Sequence, residues 1–134
     1  MENAKTIESP FDEKTLQHFR DLLIEKRRNA EEEVEILQNR LTNLNEADDA
    51  DQSSIAHHQG DMGSDVEEKQ MNYQLLERTK KFIGQIDDAL GRIENGTYGI
   101  CQATNKPISK DRLEAVPHTR YSMEAKKEGI VEDL

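Results

Sequence analysis

The sequence predicts a mostly α protein: a long antiparallel coiled-coil hairpin, a small irregular knob and a short C-terminal helix. Three observations carry that reading. Apolar residues recur every seven positions in two stretches of similar length. A polar, acidic segment separates the two stretches. Leu, Ile, Val and Phe together make only 28 of 134 residues, too few for a thick globular core.

Ser9-Pro10 opens the first element, with Ser9 expected as N-cap and Asp12 and Glu13 complementing the helix dipole. From Phe11 to about Asn45 there is no Gly or Pro, and Leu16, Leu23, Ala30, Leu37 and Leu44 are spaced by seven. Val34 and Leu41 fill the complementary row, whose earlier members are Arg20 and Arg27. Such a helix is on the order of 50 Å long. Residues 46–65 interrupt the seam with Glu46, Asp48, Asp49, Asp51, Asp61 and Asp65 and no Lys or Arg, and Gly60 and Gly63 add turn capacity. The second stretch follows, from about Ser64 to Asn95. Its rows are Leu75, Phe82 and Ala89, then Thr79, Ile86 and Ile93, with Leu76, Ile83 and Leu90 widening the face. Asn95-Gly96 stops it. Each stripe can be buried only against the other, which makes a hairpin with an acidic tip.

Residues 96–128 differ in kind. Tyr98, Ile100, Ile108, Leu113, Val116 and Tyr121 sit among Gly99, Asn105, Pro107 and Pro117, and a helical signal runs from Ser122 to Lys127. A unit this small needs a metal staple or the base of the hairpin to pack on. The expected organisation is a flexible lead-in at 1–10, the hairpin at 11–95 with its tip at 46–65, the knob and C-terminal helix at 96–128, and a tail at 129–134.

Composition narrows the function. The net charge is −10 and the pI about 4.9, which disfavours binding to nucleic acid as a whole. The mean hydropathy is −0.93, and no apolar run reaches the length of a membrane span. The first 20 residues carry Glu2, Glu8, Asp12 and Glu13 and no hydrophobic stretch, so no secretory signal and a cytoplasmic location are expected. No Ser-His-Asp pattern, phosphate-cradling Gly loop or HExxH motif stands out, so no enzyme activity is expected. His57 and His58 are adjacent in the acidic segment, not at the i, i+4 spacing a helical metal site prefers. Lys80-Lys81 and Lys126-Lys127 read as solvated charge.

The string Gly96-Thr97-Tyr98-Gly99-Ile100-Cys101, then Pro107-Ile108, then Arg112-Leu113-Glu114-Ala115-Val116-Pro117, resembles the C-terminal zinc finger of the DksA/TraR family of bacterial RNA polymerase regulators. That finger reads Y/F-G-x-C-x2-C-x17-C-x2-C, with R-L-E-A-x-P between the Cys pairs. On its four ligand positions this chain has Cys101, Thr104, Ser122 and Ala125. Structural zinc wants four Cys or His ligands, so the resemblance is to a degenerate finger. No zinc is expected, and Cys101 is read as a buried small hydrophobe.

The resemblance implies a transcription regulator that inserts its hairpin into the secondary channel of RNA polymerase, so that tip acids act near the catalytic centre. Its partner is RNA polymerase, without sequence-specific nucleic acid or membrane, and a nucleotide alarmone would act only in complex with the polymerase. Counting back from Cys101 without a gap places Asp61 at the family's tip aspartate, within His58-Gln59-Gly60-Asp61; the rival placement is Asp48-x-x-Asp51-x-Ser53. Two other readings stand beside this one. One is a scaffold hairpin that binds some other protein; the other is a divalent-cation loop, for which the EF-hand spacing is missing.

Overall fold

The computed structural model describes the backbone of residues 8–51 and 59–129, and the side chains of 8–46 and 65–129. Four helices follow one another: α1 (Glu13–Asp51), α2 (Gln59–Asn95), α3 (Lys110–Ala115) and α4 (Met123–Lys127). Among the described residues there is no strand, only an isolated antiparallel bridge between Ile100 and Pro107. The fold is mostly α, and a pair of long helices dominates it.

The long helices run further than their apolar seams. α1 continues past Leu44 to Asp51, and α2 begins at Gln59, with Gly60 and Gly63 inside its first turns. Once a helix is nucleated, each added residue costs little, so a polar extension needs no seam of its own. The helix start also differs from the Ser9 expectation. Asp12 is the cap: its Oδ1 accepts the Thr15 amide at 2.9 Å and its carbonyl accepts the Leu16 amide at 3.0 Å. Ser9 instead donates its amide to the Gly96 carbonyl at 2.7 Å, and its hydroxyl accepts the Phe11 amide at 3.3 Å. The end of the lead-in is thereby tied down; residues 1–7 lie outside the described set.

The chain divides into two compact units: residues up to Arg27 together with those from Gly84 onward, and Arg28–Ile83. In the first, α1 and α2 run antiparallel, as the Ser9–Gly96 bond and the Arg27–Asp87 ion pair (Nε to Oδ1, 2.6 Å) require. Phe19, Leu23, Ile86, Ala89 and Ile93 form its buried helical seam. In the second unit α1 buries Ala30, Leu37 and Leu41, whereas Leu75, Leu76, Phe82 and Ile83 of α2 are half-buried.

Asn95-Gly96 does stop α2. Gly96 has φ +79°; its amide bonds the Ile93 carbonyl at 3.3 Å, and the Thr97 amide bonds that of Arg92 at 2.9 Å. That is the paired closure of a Schellman motif, and it turns the chain directly into the knob.

Candidate functional site

The knob, within the first unit, is anchored by Tyr98, which is fully buried. Its ring lies 5.5 Å from that of Phe19 and 6.5 Å from that of Phe11, and Phe11 and Phe19 are 5.6 Å apart. The phenol donates to the Pro117 carbonyl at 2.7 Å, and burial pushes its pKa well above the ordinary tyrosine value. Gly99 follows with φ +90°, and a Cβ there would sit 2.5 Å from the Phe11 ring. Only glycine meets both conditions. The expectation that the knob packs on the hairpin base rather than standing alone therefore has its physical form: three aromatic rings from α1, its lead-in and the first knob turn.

From Gly99 the chain makes a tight double-back. Ile108 donates to the Gly99 carbonyl at 2.7 Å, Cys101 to that of Lys106 at 2.8 Å, and Asn105 to that of Cys101 at 2.8 Å. Asn105 takes φ +61°, a conformation Asn tolerates better than most residues. The second half is fastened to the first by the Gln102 amide on the Arg120 carbonyl at 2.9 Å. Ile108, Leu113, Pro117, Thr119 and Ala125 close the interior around Tyr98 and Cys101.

The turns bring three of the four degenerate ligand positions, Cys101, Thr104 and Ser122, close together. Burial alone pushes the Cys101 thiol up. Hydrogen bonds from the Thr104 hydroxyl, the Ser122 amide, the Ser122 hydroxyl and the Thr104 amide outweigh it and hold the group at about 7. Cys101 is buried, as expected of a small hydrophobe, and its neighbours Thr104 and Ser122 lower its pKa. The Thr104 hydroxyl also accepts the Lys106 amide at 3.3 Å. Ser122 Oγ accepts the Ala125 amide at 3.1 Å and so caps α4. Ala125 joins through its backbone and fills the interior with a methyl group.

This donor set does not fit zinc. One thiol, two hydroxyls and a methyl cannot supply a tetrahedral shell of thiolates and imidazoles. Among the described residues no three His, Cys, Asp or Glu side chains come together as a metal site.

Arg112 ties the knob's second half together in a way the motif string does not reveal. Its Nε donates to the Tyr121 carbonyl at 2.8 Å and its Nη2 to Thr119 Oγ1 at 3.3 Å. Arg92 reaches the His118 and Thr119 carbonyls at 3.2 and 3.4 Å. Burial, and then Lys26, Arg92 and Arg112, hold the His118 pKa below its ordinary value. His18 of α1 meets Glu114 of α3 at 2.8 Å. The only sequence signal for these partners was the R-L-E-A run itself, which says nothing of which carbonyls the arginine faces. The side chains of Asp48, Asp51 and Asp61 lie outside the described residues; by backbone Asp48 and Asp51 belong to α1 and Asp61 to α2.

Residues 96–128 match the model of the prokaryotic dksA/traR C4-type zinc finger. A solved structure of transcription factor DksA2 from Pseudomonas aeruginosa superposes with a TM-score of 0.73 at 34% identity, covering 88% of this chain and 84% of that one. The chain belongs to the DksA/TraR family. Curated relatives include RNA polymerase-binding transcription factor DksA of Caulobacter vibrioides, 39% identical over 67 residues, which are 50% of this chain and 47% of that protein. General stress protein 16O of Bacillus subtilis is 30% identical over 82 residues, 61% of this chain and 50% of that protein. The chain spans about half the length of these curated relatives. Within the DksA/TraR family, the chain departs from the C4 pattern at three of the four ligand positions, which hold Thr104, Ser122 and Ala125.

Proposed function

We propose that this chain is a DksA-type transcription regulator that binds RNA polymerase directly and needs no zinc to fold. The observation that supports it most is the likeness to DksA2 at 34% identity across 88% of the chain, long helix pair included. A relative 39% identical over 67 residues is named for binding RNA polymerase. The knob has a packed interior of Tyr98, Cys101, Ile108, Leu113 and Ala125, which supports folding without a metal.

On this reading the paired helices enter the polymerase's secondary channel and carry the acids between Glu46 and Asp65 toward the catalytic centre. Carboxylates there would act through charge, by perturbing magnesium coordination or mobile elements nearby, and would not react covalently. Asp61 is the leading residue, with Asp48 and Asp51 as the rival placement. The chain itself is a regulator and not a catalyst.

Co-purification with core RNA polymerase, followed by competition with a known secondary-channel factor, tests the reading. Stoichiometric retention that the competitor displaces is the expected result. Absence of retention, or retention indifferent to the competitor, would favour a scaffold hairpin with another partner.

A further inference from the structure

In the described part of the second unit, α2 contributes one buried residue, and that residue is polar. Asn72 is 5% exposed, while Leu75, Leu76, Thr79, Phe82 and Ile83 around it are half-buried. Its side-chain Nδ2 is sealed from solvent and finds no acceptor among the described residues. Thr79, one heptad further on, resolves the same difficulty by donating its hydroxyl to the Leu75 carbonyl at 2.8 Å. The row then continues as Ile86 and Ile93, both buried, in the first unit. A single row therefore reads Asn, Thr, Ile, Ile, and its polar end is the part where α2 buries least.

A donor locked away from water without an acceptor favours every state in which water can reach it. The rest of the second unit's seam is thin, with Ala30, Leu37 and Leu41 as its buried apolar residues among those described. Few buried contacts and an unsatisfied amide are the conditions under which a segment opens locally before the whole fold does. We propose that Asn72 is a built-in release point, at which α1 and α2 of the second unit part and hydrate the amide while the first unit stays closed. This holds for the free chain and does not rest on the regulator reading.

Native-state hydrogen exchange of the full chain tests it, with Asn72→Leu and Asn72→Met as variants. In the wild type, amides at 68–83 exchange ahead of those at 86–93. Each variant removes the unsatisfied donor, so exchange at 68–83 slows by about tenfold, toward the lower end of what an orphaned buried amide costs. Exchange at 86–93 stays as it was, and the slowing is the same at every protein concentration. Unchanged or faster exchange at 68–83 in the variants would overturn the proposal, as it would if the amide held an ordered water. So would slowing that spreads equally to 86–93 or grows with concentration. Should the branched leucine fail to fit, the flexible methionine decides.

Discussion

The two units draw on the same two helices and solve the burial problem differently. In the first, the helical seam is entirely apolar, and three aromatic rings and the knob's own interior thicken it. In the second, two helices have only each other, α2's one buried side chain among the described residues is an amide, and Val66, Met71 and Tyr73 are exposed. A two-helix seam alone gives little burial, and the knob makes one part of the helix pair a core. The knob can do this because Tyr98, Ile108, Leu113 and Ala125 pack its interior.

Substitutions of equal chemistry should cost the two units different amounts. Leu113→Ala, at a fully buried position of the knob, should cost about 3–4 kcal/mol in denaturant unfolding. Leu37→Ala, in the thin seam, should cost about 2 kcal/mol, since neighbours there can collapse or hydrate. Equal losses would mean that the two seams are equally packed.

Ser122→Ala acts within the knob. It removes the α4 cap and a donor to Cys101 together, and should cost about 1–2 kcal/mol. It should also raise the pH at which Cys101 ionises in the folded protein, read by thiolate absorbance, because the thiolate loses part of its support. An unchanged titration would remove Ser122 from the surroundings that tune the sulfur.

A smaller effect follows from His118. Its folded pKa is held below the ordinary value, by burial first and then by Lys26, Arg92 and Arg112. The unfolded chain therefore binds the proton more readily, and stability falls as pH drops through about 6.5 toward the folded value. The melting temperature should decline between pH 7 and 5.5, and His118→Gln should flatten that decline. A variant with the wild-type slope would assign the dependence to other groups.

Asp61→Asn belongs at the bottom of the stability scale, at less than about 0.5 kcal/mol. In transcription it should matter far more: the variant should still bind polymerase and lose most of its effect. An Asp61→Asn protein with full effect, beside an inert Asp51→Asn protein, would move the site to the earlier acids. Indifference to Asp48, Asp51 and Asp61 alike would leave the acids as a solvating segment.

Much of the fold was legible because it rests on spacing. The leucine rows, the Asn95-Gly96 stop, and Tyr98, Ile108 and Leu113 as knob core all follow from periodicity and turn chemistry. The helix ends were not legible in the same way. Ser9-Pro10 and Asp12-x-x-Thr15 are both caps on paper, and the choice falls to Asp12 because the Ser9 amide is taken by Gly96. The extension of α1 to Asp51 carries no apolar signal at all. In the knob, the missing thiolates could be read directly from Thr104, Ser122 and Ala125. What surrounds the sulfur could not, since Ser122 lies 21 positions along the chain from Cys101, beyond several turns and α3. Asn72 was hidden in plain heptad spacing, because position says that a side chain is buried and not whether its amide finds an acceptor.

If packing rather than zinc holds the knob, elemental analysis of the purified chain should find far less than one zinc per chain, and thermal melting curves before and after a strong chelator should superimpose. Stoichiometric zinc, with a melting temperature that falls on chelation, would instead make the knob a metal-held finger.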